Sequence, residues 1–482
     1  MQARIILALG IGALLTGCNL APDYHPPLIA TPAAYKESGP WQPAQPSDSL
    51  GRGAWWERFG DETLNGLEAK IDTANPGLAA AVARYDQARA LAAVAEAGLY
   101  PQVNLGASFS ANRQSDNRPL RGAASPSQYG ANQLNAQAGY EIDLWGKIRN
   151  EAAAGTALAQ ASAADLATVR LSLQAELASD YLTLRGLDAD AKLLTDTVDA
   201  YQKARDLTER LFDGKLVSSM DVSRAETQLR LAKAQVSDIA SRRAVMEHAI
   251  AVLVGQPAGS FSLPARVVPF PIPTIPTGLP STLLQRRPDI AEAERTMMAA
   301  NAEIGVARAA FYPSVSLNFL GGTQSTNLNL ASMANSFWSV GPNISLPLFN
   351  GGALDAEESA AYAKFRETNA DYRQTVLNAF ADVEDSLALL HWLGAESDDE
   401  DAAVKAAQHT LDVALNLYRQ GADSYLEVVT AQTPLLQAQQ TAIDLQTRRL
   451  LADVGLVRAL GGGWDAQSLP TDREAAKLAA ND

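Results

Sequence analysis

The chain is 482 residues long, room for about three ordinary domains, and 47% hydrophobic, so a sizeable core can be buried. A net charge of −15 excludes nucleic acid as the partner, because binding phosphates needs a basic face. The single cysteine, Cys18, excludes an intrachain disulfide. Beyond the N-terminal segment no apolar run approaches the roughly 20 residues of a membrane-spanning helix.

Residues 1–17 read as an export signal, with Arg4, the apolar run Ile5 to Leu15 and then small residues. Leu15-Thr16-Gly17-Cys18 resembles a bacterial lipobox, which would make Cys18 the lipidated first residue of the mature protein. Acyl chains on Cys18 would tether the chain to outer-membrane lipid without spanning anything. Asn19 is not the aspartate that holds lipoproteins at the inner membrane. Residues 18–60 are rich in proline and read as an extended tether along the surface.

A first repeat is expected over 61–255. Its opening pattern is helical to Leu99, interrupted at Asn75-Pro76. After Tyr100-Pro101 the period changes to two: Val103, Leu105, Ala107 and Phe109 alternate with Asn104, Gly106, Ser108 and Ser110, which predicts a strand over 102–112. A second strand follows, with Ala136, Ala138, Tyr140, Ile142 and Leu144 against Asn135, Gln137, Gly139, Glu141 and Asp143. Helical pattern then runs without proline from Gly146 to Phe212, about 100 Å if unbroken. Asp213-Gly214-Lys215 breaks it. In the partner helix Val222, Ala225, Leu229, Ala232, Val236, Ile239, Met246, Ile250 and Leu253 form a coiled-coil seam, with Arg243 the one polar intruder.

A proline-punctuated crossover, 256–281, leads to a second repeat over 282–463. Its helix after Pro288 stops at Tyr312-Pro313, because proline disfavours the helical region for its predecessor. A strand is expected over 314–320, then one with Trp338, Val340, Ile344, Leu346 and Leu348 on a single face. Another long helix runs from Gly352 to Gln420, with a possible break at Gly394, and the last carries Val429, Leu436, Ile443, Leu450 and Val457 at every seventh position. Pro101 to Pro313 is an offset of 212 and Gly214 to Gly421 one of 207, so the second copy has lost residues, most simply from the loop between its strands. The polar tail 464–482 is expected to lack fixed structure.

Four alternating strands with one apolar face cannot close a membrane barrel, which takes at least eight, so several chains must share one. Aromatics near strand ends (Tyr100, Tyr129, Trp145, Tyr312, Trp338, Phe349) suit interfacial belts, although any sheet favours them there. The residues that settle the comparison are Trp55-Trp56-Glu57-Arg58-Phe59-Gly60-Asp61, Ala74-Asn75-Pro76, Ile142-Asp143-Leu144-Trp145-Gly146 and the run from Arg286-Arg287-Pro288-Asp289-Ile290 to Pro313. Through them the chain resembles outer-membrane efflux proteins of the TolC type, in their lipoprotein branch, the NodT family. The resemblance implies an internally duplicated α+β membrane protein. Four strands per chain would contribute to a twelve-stranded outer-membrane barrel shared by a homotrimer, continued by a helical coiled-coil tunnel through the periplasm. It also implies docking onto a periplasmic membrane-fusion adaptor and an inner-membrane RND-type pump.

No catalytic constellation is present. His25, His248, His391 and His409 are scattered, and the glycine pair Gly10 and Gly12 falls within the export signal. No cofactor and no metal are expected. The two helix–helix turns are the expected sites: Gly214, Lys215, Leu216, Val217 and Ser218 in the first repeat, Gly421, Ala422 and Ser424 in the second. Glycine at each fits a left-handed helix terminus. The resemblance makes these turns the closed periplasmic tip and adaptor-docking surface, with Asp423 and Glu427 as gate acids and Tyr418 and Arg419 as latch residues. Thr430 stands where close relatives often carry an acid, which leaves the number of carboxylate rings open. A helix N-cap role would by itself explain Asp423. The acidic run Glu396, Asp398, Asp399, Glu400 and Asp401 reads as a solvated helix start or belt surface before a metal site. The readings in play are an exit duct for a tripartite efflux pump, a duct for a type I protein-secretion system, and a lipoprotein coiled-coil scaffold with no pore. The methionines form no cluster by spacing, and a passive duct has little reason to encode its cargo.

Overall fold

The structure, a computed structural model, describes residues 18–37, 53–117, 126–273, 283–475 and 477. The export signal 1–17 and parts of the tether, the crossover and the tail lie outside the described residues. Helices α1 (Glu62–Ala74) and α2 (Pro76–Ala97) lead into β1 (Gln102–Arg113) and β2 (Gln128–Ile142), followed by α3 (Lys147–Asp213) and α4 (Ser219–Leu253). After a single turn at Leu283–Arg286, the second repeat gives α5 (Pro288–Ala309), β3 (Ser314–Ser325), β4 (Ser336–Ser345), α6 (Ala353–Arg419) and α7 (Tyr425–Ala459).

The repeat is close at the level of elements. α2 and α5 have 22 residues each, β1 and β3 have 12, α3 and α6 have 67, and α4 and α7 have 35. The offset is 212 up to β3 and 206 from α6 onward, since Lys147 matches Ala353 and Ser219 matches Tyr425. Six residues are lost between these points. The strand loop shortens from 114–127 to 326–335 and the second strand from 15 residues to 10, partly offset by a longer approach to α6. The expected offset of 207 is therefore corrected to 206. With 206, buried Ala225, Leu229, Ala232 and Ile239 fall on buried Ala431, Leu435, Ala438 and Leu445. Of the seventh-residue series, Leu450 and Val457 are buried, whereas Val429, Leu436 and Ile443 run beside the most buried row, where Val428 rather than Val429 is the fully buried valine.

Each repeat closes on itself through the same joint. The residue before the helix-opening proline sends its side chain to the last turn of the returning helix: Asn75 Nδ2 donates to the carbonyl of Leu253 at 2.7 Å, and Arg287 donates to that of Ala459 at 3.1 Å. One glycine in the left-handed region completes each joint, Gly255 at φ +67° and Gly461 at φ +89°. A Cβ there would run into the carbonyl of Ala74 or of Arg286 respectively, so both φ and space require glycine. Arg287 also pairs with Asp289 at 2.7 Å and with Asp382 of α6 at 2.9 Å.

The four strands form one antiparallel sheet in the order β1-β2-β3-β4. Register puts Ala136 between Leu105 and Gly321, and Phe319 between Ala138 and Val340, so the apolar residues share one face. Asn104, Gln137, Asn135, Asn318 and Asn343 share the other. Several boundaries differ from expectation, among them the start of β2, which lies at Gln128 rather than near Asn135. Leu144, Leu346 and Leu348 lie beyond the strand ends, because β2 stops at Ile142 and β4 at Ser345. β3 extends to Ser325, since Gly321 and Gly322 continue to pair with β2 despite breaking the apolar alternation. α6 passes through Gly394 unbroken, helped by packing against α7, and α7 passes through Pro434, whose missing N–H faces the exposed side.

The largest core cluster lies where α1, α3, α4, α7 and the crossover meet, around Trp55, Ile71, Leu177, Tyr181, Ile250, Phe270 and Val454. Beside it the polar intruder of the seam finds its partners. Arg243 donates to Asp188 at 2.7 Å and to the carbonyl of Leu263 at 2.6 Å, and Arg185 donates to Asp188 at 2.7 Å and to the carbonyl of Pro264 at 2.9 Å. The backbone N–H of Arg266 donates to Asp188, that of Leu263 donates to Glu247, and the Arg266 guanidinium reaches Asp61, the N-cap of α1. Asp188, itself buried, thus holds two arginines and the crossover together. The tail is also ordered as far as 475, against expectation. Gln160 donates to the carbonyl of Pro470 and to Asp472, and Ala475 is buried against Ala92 and Ala159.

Asp188→Ala would leave the buried guanidinium of Arg185 and the half-buried one of Arg243 without their carboxylate. It is expected to destabilise the fold by about 3–5 kcal/mol, read as a lowered denaturant midpoint in detergent, with residues 261–268 becoming the first protease-sensitive site.

Candidate functional site

The ends of the long helices carry the expected site residues. Both tip turns are Schellman motifs. In the first, Leu216 N–H donates to the carbonyl of Leu211 and Lys215 N–H to that of Phe212; in the second, Ala422 donates to Leu417 and Gly421 to Tyr418. The left-handed residue is Lys215 at φ +61° in the first turn and Gly421 at φ +71° in the second. Gly214 is right-handed, φ −73°, and only caps α3. The reading of Gly214 as the left-handed terminus is therefore corrected by one residue, and the matching position is occupied by a lysine that bears the Cβ strain.

The turns then diverge. Ser218 caps α4 in a closed capping box: its Oγ accepts from Asp221 N–H at 3.3 Å, and Asp221 accepts from Ser218 N–H at 3.2 Å. Ser424 and Glu427 occupy the same two positions in α7, yet Ser424 makes no side-chain cap. Asp423 instead accepts from Ser424 N–H at 2.8 Å. Asp423 sits one residue before the N-cap, so an N-cap role does not account for it. Its counterpart is Val217, which packs into the tip core. Asp423 and Glu427 are both exposed.

Tyr418 is 5% exposed and lies in a cluster with Ala225, Ala414, Tyr425, Val428 and Ala431. Its hydroxyl shares a hydrogen bond with Thr208 of α3 at 3.1 Å, joining the two hairpins, and its ring meets Tyr425 edge-on at 5.3 Å. Burial pushes both phenols above their ordinary value. Arg419 is exposed and finds no hydrogen bond or ion pair among the described residues. Thr208 and Tyr425 are not among the expected site residues, because their contacts with Tyr418 join separate helices and leave no local pattern in the sequence. Leu216 is 75% exposed, with Phe212, Met220 and Leu426 exposed around it, an apolar rim on the tip.

At the opposite end Cys18 is exposed beside the strand-to-helix junction. Its carbonyl accepts from Arg149 at 3.5 Å, Asn19 accepts from Asn150 at 2.9 Å, and Gly146 lies against both. The chain then descends along α5, with Asn301 donating to the carbonyl of Pro22. It reaches α6, where Glu384 accepts from the N–H groups of Lys36 and Glu37 and Tyr35 is buried. Trp145 donates to the carbonyl of Pro313 and stacks near Tyr312 at the same level as Cys18. The acidic run 396–401 lies in the middle of α6, mostly exposed, so it is not a helix start.

The matched pair of turns isolates the cost of a side chain at positive φ. Lys215→Gly is expected to stabilise the tip by about 1 kcal/mol and Gly421→Ala to destabilise it by about 1–2 kcal/mol, compared by hydrogen exchange of residues 211–222 and 417–428.

Comparison with known proteins places this arrangement. The family profile described as outer membrane efflux protein matches residues 70–256 and 279–462, the two repeats. The toluene efflux pump outer membrane protein TtgC of Pseudomonas putida is 34% identical over 484 residues, covering 98% of this chain and 99% of that protein. The cation efflux system protein CusC of Escherichia coli K12 is 31% identical, covering 95% and 99%. The solved outer-membrane channel OprN superposes with a TM-score of 0.84 at 30% identity over 93% of this chain and all of that one. The chain belongs to the outer membrane efflux protein family.

Proposed function

We propose that the protein is the passive outer-membrane exit duct of a tripartite efflux pump, a homotrimer lipid-anchored at Cys18. It would receive small toxic compounds from a periplasmic membrane-fusion adaptor and an inner-membrane RND-type pump. The observation that carries the reading is the sheet. It has one apolar and one polar face, and among the described residues β1 and β4 each have an unpaired edge. Their outward residues are bare: Leu105 is 83% exposed, Trp338 74% and Ile344 68%. Such an edge in water invites pairing, and in a bilayer its backbone groups must be satisfied. Pairing β4 of one copy with β1 of the next closes a ring, and three copies give twelve strands, within the range of membrane barrels. A non-pore scaffold would leave that apolar face without a solvent.

The 67-residue helices then extend the duct by about 100 Å. Three-fold symmetry would bring Asp423 and Glu427 towards their copies at the axis, where carboxylate rings select cations or hold a constriction. Tyr418 acts as a latch through Thr208, and Arg419 is left free to reach a neighbouring copy. The apolar rim of Leu216, with Gly214, Lys215, Val217, Ser218, Gly421, Ala422 and Ser424, forms the adaptor-docking tip. TtgC and CusC are named for unlike cargoes, toluene and cations, which fits a duct that leaves selection to the pump.

Photo-crosslinking in intact cells from Ser218 and Ser424 is expected to capture a periplasmic adaptor encoded with a proton-driven pump. Capture of a secretion adaptor would move the duct to a protein-secretion system, and capture of nothing, with the protein in the outer membrane, would remove the turns from docking. In planar bilayers Asp423→Ala is expected to raise the closed-state conductance several-fold, and an unchanged current would remove Asp423 from the gate.

A further inference from the structure

The polar face of the sheet is almost free of charge. β1 to β4 contain two ionised side chains in all, Arg113 and Glu141. Arg113 pairs with Gln128 at the end remote from the helices, on the face that carries Val103 and Leu105. Glu141 pairs with Ser316 and alternates with Tyr140 and Ile142, which places it on the face of Asn104, Gln137, Asn318 and Asn343. It is one residue from the end of β2, at the helix-proximal rim. The charges around it are already matched: Asp143 holds Arg149 at 3.0 Å and Lys147 stands near Glu151 at 4.0 Å. Glu141 itself has no hydrogen bond or ion pair among the described residues.

Resting on the trimeric channel reading above, we infer that Glu141 is the charge-selective residue of the barrel. Three copies form a carboxylate ring at its base, separate from the acids of the tip, and favour the passage of cationic over anionic solutes. Twelve strands spaced about 4.8 Å apart and tilted about 40° give a barrel radius of about 12 Å, so the side chains end within about 10 Å of the axis. The Debye length is about 10 Å at 0.1 M salt, about 30 Å at 0.01 M and about 3 Å at 1 M. The ring therefore governs the whole cross-section in dilute salt and only the wall in concentrated salt. The remainder of the wall, amides, hydroxyls and glycine with Leu320, Phe337 and Ala131 among them, adds no opposing charge.

The test is the reversal potential of the full-length trimer in a planar bilayer under a KCl gradient, in the Asp423→Ala background so that the tip does not dominate. With the dilute side at about 0.01 M, a potassium preference is expected that shrinks on Glu141→Gln, inverts on Glu141→Lys, and fades at about 1 M. A Glu141→Cys trimer, labelled after assembly so that folding is untouched, should regain the preference with a sulfonate-bearing thiol reagent and reverse it with an ammonium-bearing one. Conductance with the same reversal potential in all these forms would overturn the inference alone. Absence of any conductance from the trimer would overturn the channel reading and this inference with it.

Discussion

Two matched hydrogen bonds decide how this chain can be a tube. Neither the 22-residue helices next to the sheet nor the 35-residue returning helices are long enough to flank a 67-residue neighbour. Asn75 to Leu253 and Arg287 to Ala459 set each short helix on the end of a returning one, and a left-handed glycine lets the backbones meet. A carbonyl at the end of α4 or α7 that would otherwise lack a partner is satisfied by a side chain from the start of α2 or α5. The stacked pair then spans the length of the long helix. Everything from the strands to the tip keeps its level because of that butt joint.

The same duplication lets one copy serve as the internal control for the other. The tip turns share backbone bonds residue for residue, so their differences are chemical: lysine against glycine at the left-handed position, valine against aspartate before the cap, and a closed capping box against an open one. The first turn spends its acid, Asp221, on its own helix. The second leaves Glu427 uncommitted and gives the Ser424 N–H to Asp423. One hairpin is finished within itself, and the other presents its carboxylates outward.

Much of this was legible in the sequence. Period-two alternation located all four strands, and the Pro101 and Pro313 junctions located the helix ends, because both signals are local and steric. The duplication was legible for the same reason. What was not legible depended on partners distant in the chain. Arg243 looked like a flaw in a seam until Asp188, Leu263 and Pro264 surrounded it. Gly394 looked like a break because propensity ignores the packing of α6 on α7. Gly214 drew attention as a glycine, although Lys215 takes the strained conformation; only alignment of the two turns by buried positions reveals it. The tail looked structureless because its contacts, to Gln160 and Ala159, come from residues some three hundred positions earlier.

Among the described residues the arginine network at the crossover has no twin. Arg243 and Glu247 fall on Arg449 and Asp453 under the 206 offset, but Asp188 falls on Gly394. Arg449 turns to Ser397 instead, and Asp453, buried with one oxygen unpaired, is pushed up to about 7 by desolvation. The first hairpin is tied through Asp188 to the crossover, and the second is held instead through Asp382 to Arg287 and through Glu384 to the tether. The hairpin that carries Asp423 is therefore, among the described residues, the one without a buried carboxylate clamping two arginines along its length.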